Sequence, residues 1–376
     1  MKRKFFFILA LFFFTSIFFV FQNRDQTIKI GFAGGLSGQW SQISIDARNG
    51  FLVAVEEINS NGGVNGKKLE PYFYNDQSNV ETGIALGEKF EKDNVNLVVG
   101  FSISQLRRAV VEIMRNQEIL FISPTMTTNN LSEMDDYFFR VIPENTIQAK
   151  MLLDYLQKMD LQKLIVVYNT NNYEFSYTLM THLKHMSRAF NVEVVKTIGI
   201  DTTDLTAVDF AKEIKSVESD SVFFVTNSMD TANLAQILKI NDIDLHLCSS
   251  TWAKTSDLIE NGGKAIEDMV ILGYFDMNSH QKSYVDFKER IQSKFGTSTS
   301  YAHILGYESV KVLEEAILHS NSVEPSEIKK AIIKIEKYTG VLDDFTIDYY
   351  GDNRRTPIIF RIKNGEYENI SHILSN

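Results

Sequence analysis

From residue 27 onward, short apolar runs alternate with stretches in which apolar residues return every three or four positions. Residues 28–32 read as a strand, and Ala47, Phe51, Ala54, Val55 and Ile58 then fall on one face of a helix. A strand at 69–74, a helix over 80–93 and a continuous apolar strand at 97–99 come next. Leu106, Val110, Ile113 and Met114 stripe another helix before a strand at 120–122. The rhythm restarts after Phe139-Arg140-Val141: Ile147, Met151 and Tyr155 stripe a helix, and 164–167 is a buried strand. Further helices are predicted over 173–190, 208–215 and 231–241, with strands at 192–198, 222–225 and 246–248 between and after them. Long helices near 281–295 and 302–318 and a strand-rich tail over 342–370 complete the chain. Alternation of this kind predicts an α/β fold, and its two blocks predict two similar lobes, each a parallel sheet with helices on both faces.

The pattern also interprets the glycine-rich stretch 58–70, INSNGGVNGKKLE. A phosphate loop needs a strand before the glycines and a helix after them, so that the helix N-terminus meets the anion. Here the helix precedes Gly62-Gly63 and the strand follows, and Lys67 is followed by Lys68 rather than by Ser or Thr. Asn61-Gly62 is expected to end the helix in a left-handed cap, and Asn65-Gly66 to turn the chain into the strand. This is a turn.

Composition changes the picture at the N-terminus. Lys2, Arg3 and Lys4 precede the apolar residues 5–21, broken only by Thr15 and Ser16, as in an export signal. No pair of small residues suited to cleavage follows, and a helix of that length reaches roughly 25 Å, enough to span a bilayer core. Residues 1–26 are therefore expected to be a signal peptide or an uncleaved membrane anchor, with the body outside the cytoplasm. The remainder holds 34 Lys+Arg against 47 Asp+Glu, which disfavours nucleic acid as a partner. The single Cys248 excludes an intramolecular disulfide and reads as a small residue of a buried strand.

Four segments, IKIGFAGGLSG, AVEEINSNGGVNGKKLEPYFYND, NLVVGFSIS and LFISPTMTTNNL, together resemble the leucine/isoleucine/valine-binding family of type I periplasmic solute-binding proteins. The resemblance covers nearly all of residues 27–365. It implies two doubly wound parallel-sheet lobes joined by three crossovers, with a ligand held in the cleft between them. On this chain the crossings would fall near Val141-Ile142-Pro143, Gly273-Tyr274 and 340–344. That gives lobe 1 as 27–141 plus 274–340 and lobe 2 as 142–273 plus 341–376.

Several loops lie at the C-terminal ends of predicted strands, where open α/β sheets bind ligands. By motif position, Ser104, the backbone of Thr125 and the hydroxyl of Thr127 match family groups that hold a ligand carboxylate. Hydroxyls and N–H groups at a helix start suit an anion, although the same residues also serve as plain caps. Tyr173 matches a family tyrosine that covers the ligand, or begins an amphipathic stripe with 177, 180 and 184. Asp230 reads as a helix cap or as the partner of a ligand ammonium. Trp252 and Trp40 lie in cleft-facing loops or in ordinary packing. Where amino-acid-binding members tend to carry an acid, this chain has Thr251, so either Asp230 replaces that acid or the ligand has no ammonium.

No dinucleotide fingerprint follows the first strand, since 33–38 (AGGLSG) has the wrong spacing, and His182 and His185 read as solvated rather than metal-binding. No catalytic role, cofactor or metal is expected. The expected partners are a small polar solute, an amino acid or related carboxylate or amide, and an ABC permease served by a monomer. The alternative is a membrane-anchored co-receptor reporting ligand to a signalling partner.

Overall fold

A computed structural model describes residues 27–38, 41–201 and 207–375. The expected export segment and Trp40 lie outside the described residues. The first sheet holds parallel strands β1 (Thr27–Gly34), β2 (Lys68–Asn75), β3 (Leu97–Gly100), β4 (Leu120–Ser123) and β5 (Phe138–Arg140), in the order β2-β1-β3-β4-β5. Its connecting helices are α1 (Ser41–Ser60), α2 (Val80–Asp93) and α3 (Arg107–Asn116). The second sheet repeats that order with β6 (Lys163–Asn169), β7 (Glu193–Ile200), β8 (Ser221–Val225), β9 (His246–Ser249) and β10 (Val270–Gly273), arranged β7-β6-β8-β9-β10. Around it run α4 (Asn145–Lys158), α5 (Tyr173–Met186), α6 (Ala207–Lys215), α7 (Ser228–Ile240) and α8 (Ser256–Gly262).

Three helices, α9 (Lys282–Phe295), α10 (Tyr301–Ser320) and α11 (Pro325–Lys334), then return to the first sheet. A short ribbon, β11 (Thr346–Ile347) with β12 (Asn353–Arg354), precedes β13 (Ile358–Lys363) and β14 (Glu366–Asn369), which extend the second sheet antiparallel beyond β10.

Successive side chains of a strand point to opposite faces, and both sheets use this fully. Ile28, Ile30, Phe32, Leu97, Val99, Leu120 and Ile122 are buried with α1, α9, α10 and α11 on one face of the first sheet. Val98 and Phe121 join α2 and α3 on the other. In the second sheet Leu164 and Val166 pack with α4 and α5, while Ile165 and Val167 pack with α6, α7 and α8. Cys248 is buried on β9, as expected. Helices α1 and α10 approach backbone to backbone: a Cβ at Gly306 would lie 1.9 Å from the Ala47 carbonyl oxygen, and one at Gly50 1.8 Å from that of His303.

The glycine-rich stretch is the turn expected. Gly62, Gly63, Asn65 and Gly66 all have positive φ, and Val64 pairs with Lys67 across the turn.

The chain passes between the sheets after β5, after β10 and between β12 and β13. The last passage lies beyond the expected 340–344. Val341, Leu342, Phe345 and Ile347 belong to the first core rather than to the second lobe, and Phe345 bridges Tyr338. Ion pairs bind the passages together. Arg140 and Asp352, at 0% and 1% side-chain exposure, form a buried pair in which the Arg140 Nε donates at 2.9 Å. Arg354 pairs with Glu144 at 2.9 Å, and the Arg355 guanidinium lies 4.5 Å from the Phe275 ring while meeting Glu308 at 2.5 Å.

Candidate functional site

In both sheets the strand order reverses direction beside the first strand, and ligands of open α/β sheets sit outside the strand C-termini at such points. The loops after β3 and β4 there are tied to each other. The Ser123 hydroxyl donates to the Phe101 carbonyl at 2.6 Å, the Thr125 hydroxyl donates to the Ser102 carbonyl, and the Thr127 N–H donates to Ser104 Oγ at 3.3 Å. The Thr127 carbonyl in turn accepts from the Asn145 N–H at 2.9 Å, linking this wall to the first passage between sheets. The opposite wall comes from the loop after β6 and the turn after β9. Asn169 Oδ1 accepts the N–H groups of Asn171 and Asn172 at 2.8 and 3.1 Å, and Gln148 Oε1 accepts both the N–H and the hydroxyl of Thr251 at 3.2 and 3.0 Å.

Between the walls lies a cavity of about 30 Å³, lined by Ser102, Ser104, Thr125, Thr127, Asn172 and Thr251 together with Ile43, Ile103, Ile142, Phe175, Trp252 and Tyr301. Phe175 and Trp252 pack edge to face at 5.4 Å. Three polar atoms of the lining are buried without a hydrogen-bond partner: Ser102 Oγ, Thr127 Oγ1 and Asn172 Oδ1. Buried polar groups are normally paired, so each such group calls for an explanation. A larger chamber of about 580 Å³ shares Ile142, Thr251 and Tyr301 with the small one and is further lined by Asp46, Lys254, Thr255, Tyr274, Thr297 and Thr299. On the rim Glu174 reaches from α5 across to the first sheet's loops, accepting from Arg107 Nη2 at 3.2 Å and from Asn130 Nδ2 at 3.0 Å. The sheets are therefore drawn together on this side.

Of the residues singled out in the sequence, Ser104, Thr125, Thr127, Thr251 and Trp252 meet in the small cavity. The hydroxyl of Thr125, whose backbone is the group expected at the ligand, donates to the Ser102 carbonyl. Tyr173 does not line it. The residue is 45% exposed, and its ring stacks on Tyr177 at 4.3 Å. The buried stripe of α5 runs through Phe175, Ser176, Leu179, Met180 and Leu183 instead, which brings Asn172 and Phe175 to the cavity.

Asp230 does not line it either. Its carboxylate accepts from Asn169 Nδ2 at 3.1 Å and from Asn227 Nδ2 at 2.8 Å, and the helix cap is Asn227. Asp230 thus braces Asn169, which shapes the 171–172 turn. Sequence reasoning missed Ser102, Asn172, Phe175 and Lys254. Ser102 and Asn172 stand beside residues it did select, and loop position alone would have found them. Among the described residues no group of three His, Cys, Asp or Glu side chains is placed to hold a metal ion.

The sequence model of the periplasmic binding protein family matches residues 27–366. The leucine-, isoleucine-, valine-, threonine-, and alanine-binding protein of Pseudomonas aeruginosa is 24% identical over 350 residues, which are 89% of this chain and 92% of that one. Among solved structures, the branched-chain amino acid transporter substrate-binding protein of Streptococcus pneumoniae, in complex with isoleucine, aligns with a TM-score of 0.80 at 20% identity, covering 91% of this chain and 98% of that one. A solute-binding protein of an ABC transporter from Rhodopseudomonas palustris, in complex with 3,4-dihydroxybenzoic acid, aligns with a TM-score of 0.82 at 18% identity, covering 92% and 96%.

Proposed function

Because the chain belongs to the periplasmic binding protein family, we propose that it is an extracytoplasmic receptor that captures a small polar solute between its two sheets and delivers it, as a monomer, to an ABC permease. The solute is an amino acid or a related carboxylate or amide. The observation that carries this reading is the ring of unpartnered polar atoms, Ser102 Oγ, Thr127 Oγ1 and Asn172 Oδ1, buried around a cavity of about 30 Å³. That volume suits one or two waters or a carboxylate group. A carboxylate there would accept from the hydroxyls of Ser102, Ser104 and Thr127, while Phe175 and Trp252 cover it from the second sheet. Among the described residues no carboxylate side chain lines this cavity to meet an ammonium. The Streptococcus pneumoniae protein holds an amino acid and the Rhodopseudomonas palustris protein a carboxylic acid without one, so the same fold is used for both kinds of solute.

Capture is proposed to close the two lobes about the three passages, with ligand affinity offsetting the cost of leaving the open state. A thermal-shift screen of residues 27–376 against amino acids and small carboxylates, followed by X-ray scattering with the stabilising compound, tests this. The expected result is a raised melting temperature and a smaller radius of gyration at saturation. No response to any compound, or an unchanged radius, counts against the reading.

Residues 5–21 are proposed to remain attached and tether the receptor to the membrane, on the grounds of their apolar length and the missing small-residue pair. Cell fractionation with N-terminal sequencing should find the intact N-terminus in the membrane fraction. A soluble product beginning between residues 17 and 28 would exclude the tether.

A further inference from the structure

The turn after β9, residues 250–255, carries one charged side chain, Lys254, and among the described residues that lysine is the only cation lining the larger chamber. Its ammonium lies 4.1 Å from the centre of the Phe360 ring and 4.8 Å from that of Tyr367, and donates one hydrogen bond, 3.2 Å long, to the Phe275 carbonyl. An ammonium has three N–H donors. No carboxylate of the described residues forms an ion pair with it. Burial draws its pKa down to about 8, with Asp276 acting in the opposite direction, so it is mostly charged at neutral pH. Lys254 is half-buried, and a cation withdrawn from water in this way is stabilised by an anionic partner.

The surroundings are also short of partners. Tyr274 is 3% exposed, and its hydroxyl has no partner; Thr255, Thr297 and Thr299 line the same chamber with buried hydroxyl oxygens in the same condition. The acids of the lining do not compete for the lysine. Asp257, Glu260 and Glu366 are exposed, and the two oxygens of Asp46 are each taken, by Gln42 Nε2 and by Ser300 Oγ, both at 2.6 Å.

We propose that Lys254 and the hydroxyls around it receive a second anionic group of the ligand, so that the solute is a dicarboxylate spanning the small cavity and the larger chamber. This rests on the receptor reading above, with one carboxylate held by Ser102, Ser104 and Thr127. The two spaces adjoin at Ile142, Thr251 and Tyr301, which line both.

The test measures melting shifts and calorimetric affinities for linear dicarboxylates of three to six carbons, the matching monocarboxylates, and leucine. At least one dicarboxylate is expected to bind at least tenfold more tightly than its monocarboxylate, and Lys254→Met to remove that advantage. Lys254→Gln, which keeps a hydrogen-bond donor, separates loss of charge from loss of packing, and circular dichroism confirms that both variants fold. Two outcomes overturn the proposal: no response to any dicarboxylate, or a dicarboxylate affinity that both variants retain. Tight binding of leucine or a monocarboxylate beside either outcome leaves the receptor reading intact, whereas silence across the whole panel removes both.

Discussion

Glu308→Gln is expected to lower the unfolding free energy by about 3–5 kcal/mol, the usual cost of leaving one member of a buried ion pair alone. Glu308 and Arg355 are each 1% exposed and meet at 2.5 Å. The other oxygen of Glu308 accepts the Val341 N–H at 2.9 Å. Burial raises the pKa of this carboxyl and the Arg355 charge opposes that rise. Glutamine keeps an acceptor for Val341 but leaves a guanidinium enclosed between Phe275 and Phe345, at 4.5 and 4.6 Å, with no counter-charge. Urea unfolding measures the loss. The double variant Glu308→Leu with Arg355→Met should recover most of it, because well-packed apolar replacements of a buried pair are close to neutral. A single-variant cost below about 1 kcal/mol, or a double variant no better than the single, would show that this pair does not hold the junction.

The second large effect is on binding. Thr127→Ala should weaken capture of the solute ten- to hundredfold while leaving the melting temperature of the free protein nearly unchanged. The Thr127 hydroxyl is buried and makes no hydrogen bond within the protein, so its removal costs no internal partner. The backbone bonds of Thr127, to Ser104 Oγ and from Asn145, do not involve the side chain. A hydrogen bond to a charged group is worth about 1.5–3 kcal/mol, and each 1.4 kcal/mol is roughly one decade of affinity. Thr125→Ala makes the contrast, since its hydroxyl already serves the Ser102 carbonyl and its loss should register in stability. Calorimetric titration of both variants decides the matter: unchanged affinity in Thr127→Ala would move the carboxylate elsewhere.

Much of the fold was legible because continuous apolar runs such as 97–100 and 221–225 are buried on both faces, and no other arrangement accommodates them so simply. Loop position then located five residues of the small cavity, Ser104, Thr125, Thr127, Thr251 and Trp252. Tyr173 lies outside the small cavity because α5 begins at that residue and its buried stripe starts at Phe175, a phase that the residue spacing does not fix. Asp230 could not be resolved locally, because its partner Asn169 lies 61 residues away. The setting of Lys254 depends on Phe275, Phe360 and Tyr367, which lie 21 residues or more away in the chain. The segment 341–347 is apolar enough for either core, and its pairing with Tyr338 assigns it to the first.

The division of the first core has a consequence for biogenesis. Strands β1 to β5 leave the ribosome before any residue of the second sheet, yet one of their faces is covered partly by α9, α10 and α11, which follow the whole of β6 to β10. Until α10 arrives, Ala47 and Gly50 on α1 lack the helix that packs against their backbone. The second sheet is nearly continuous in the chain and can condense as it emerges. Order of synthesis and order of completion are thus opposed: residues 141–281 are all made after the last strand of the first sheet and before α9 begins to cover its apolar face. Such a surface is a hazard for aggregation and a natural target for holding factors until α9, α10 and α11 cover it.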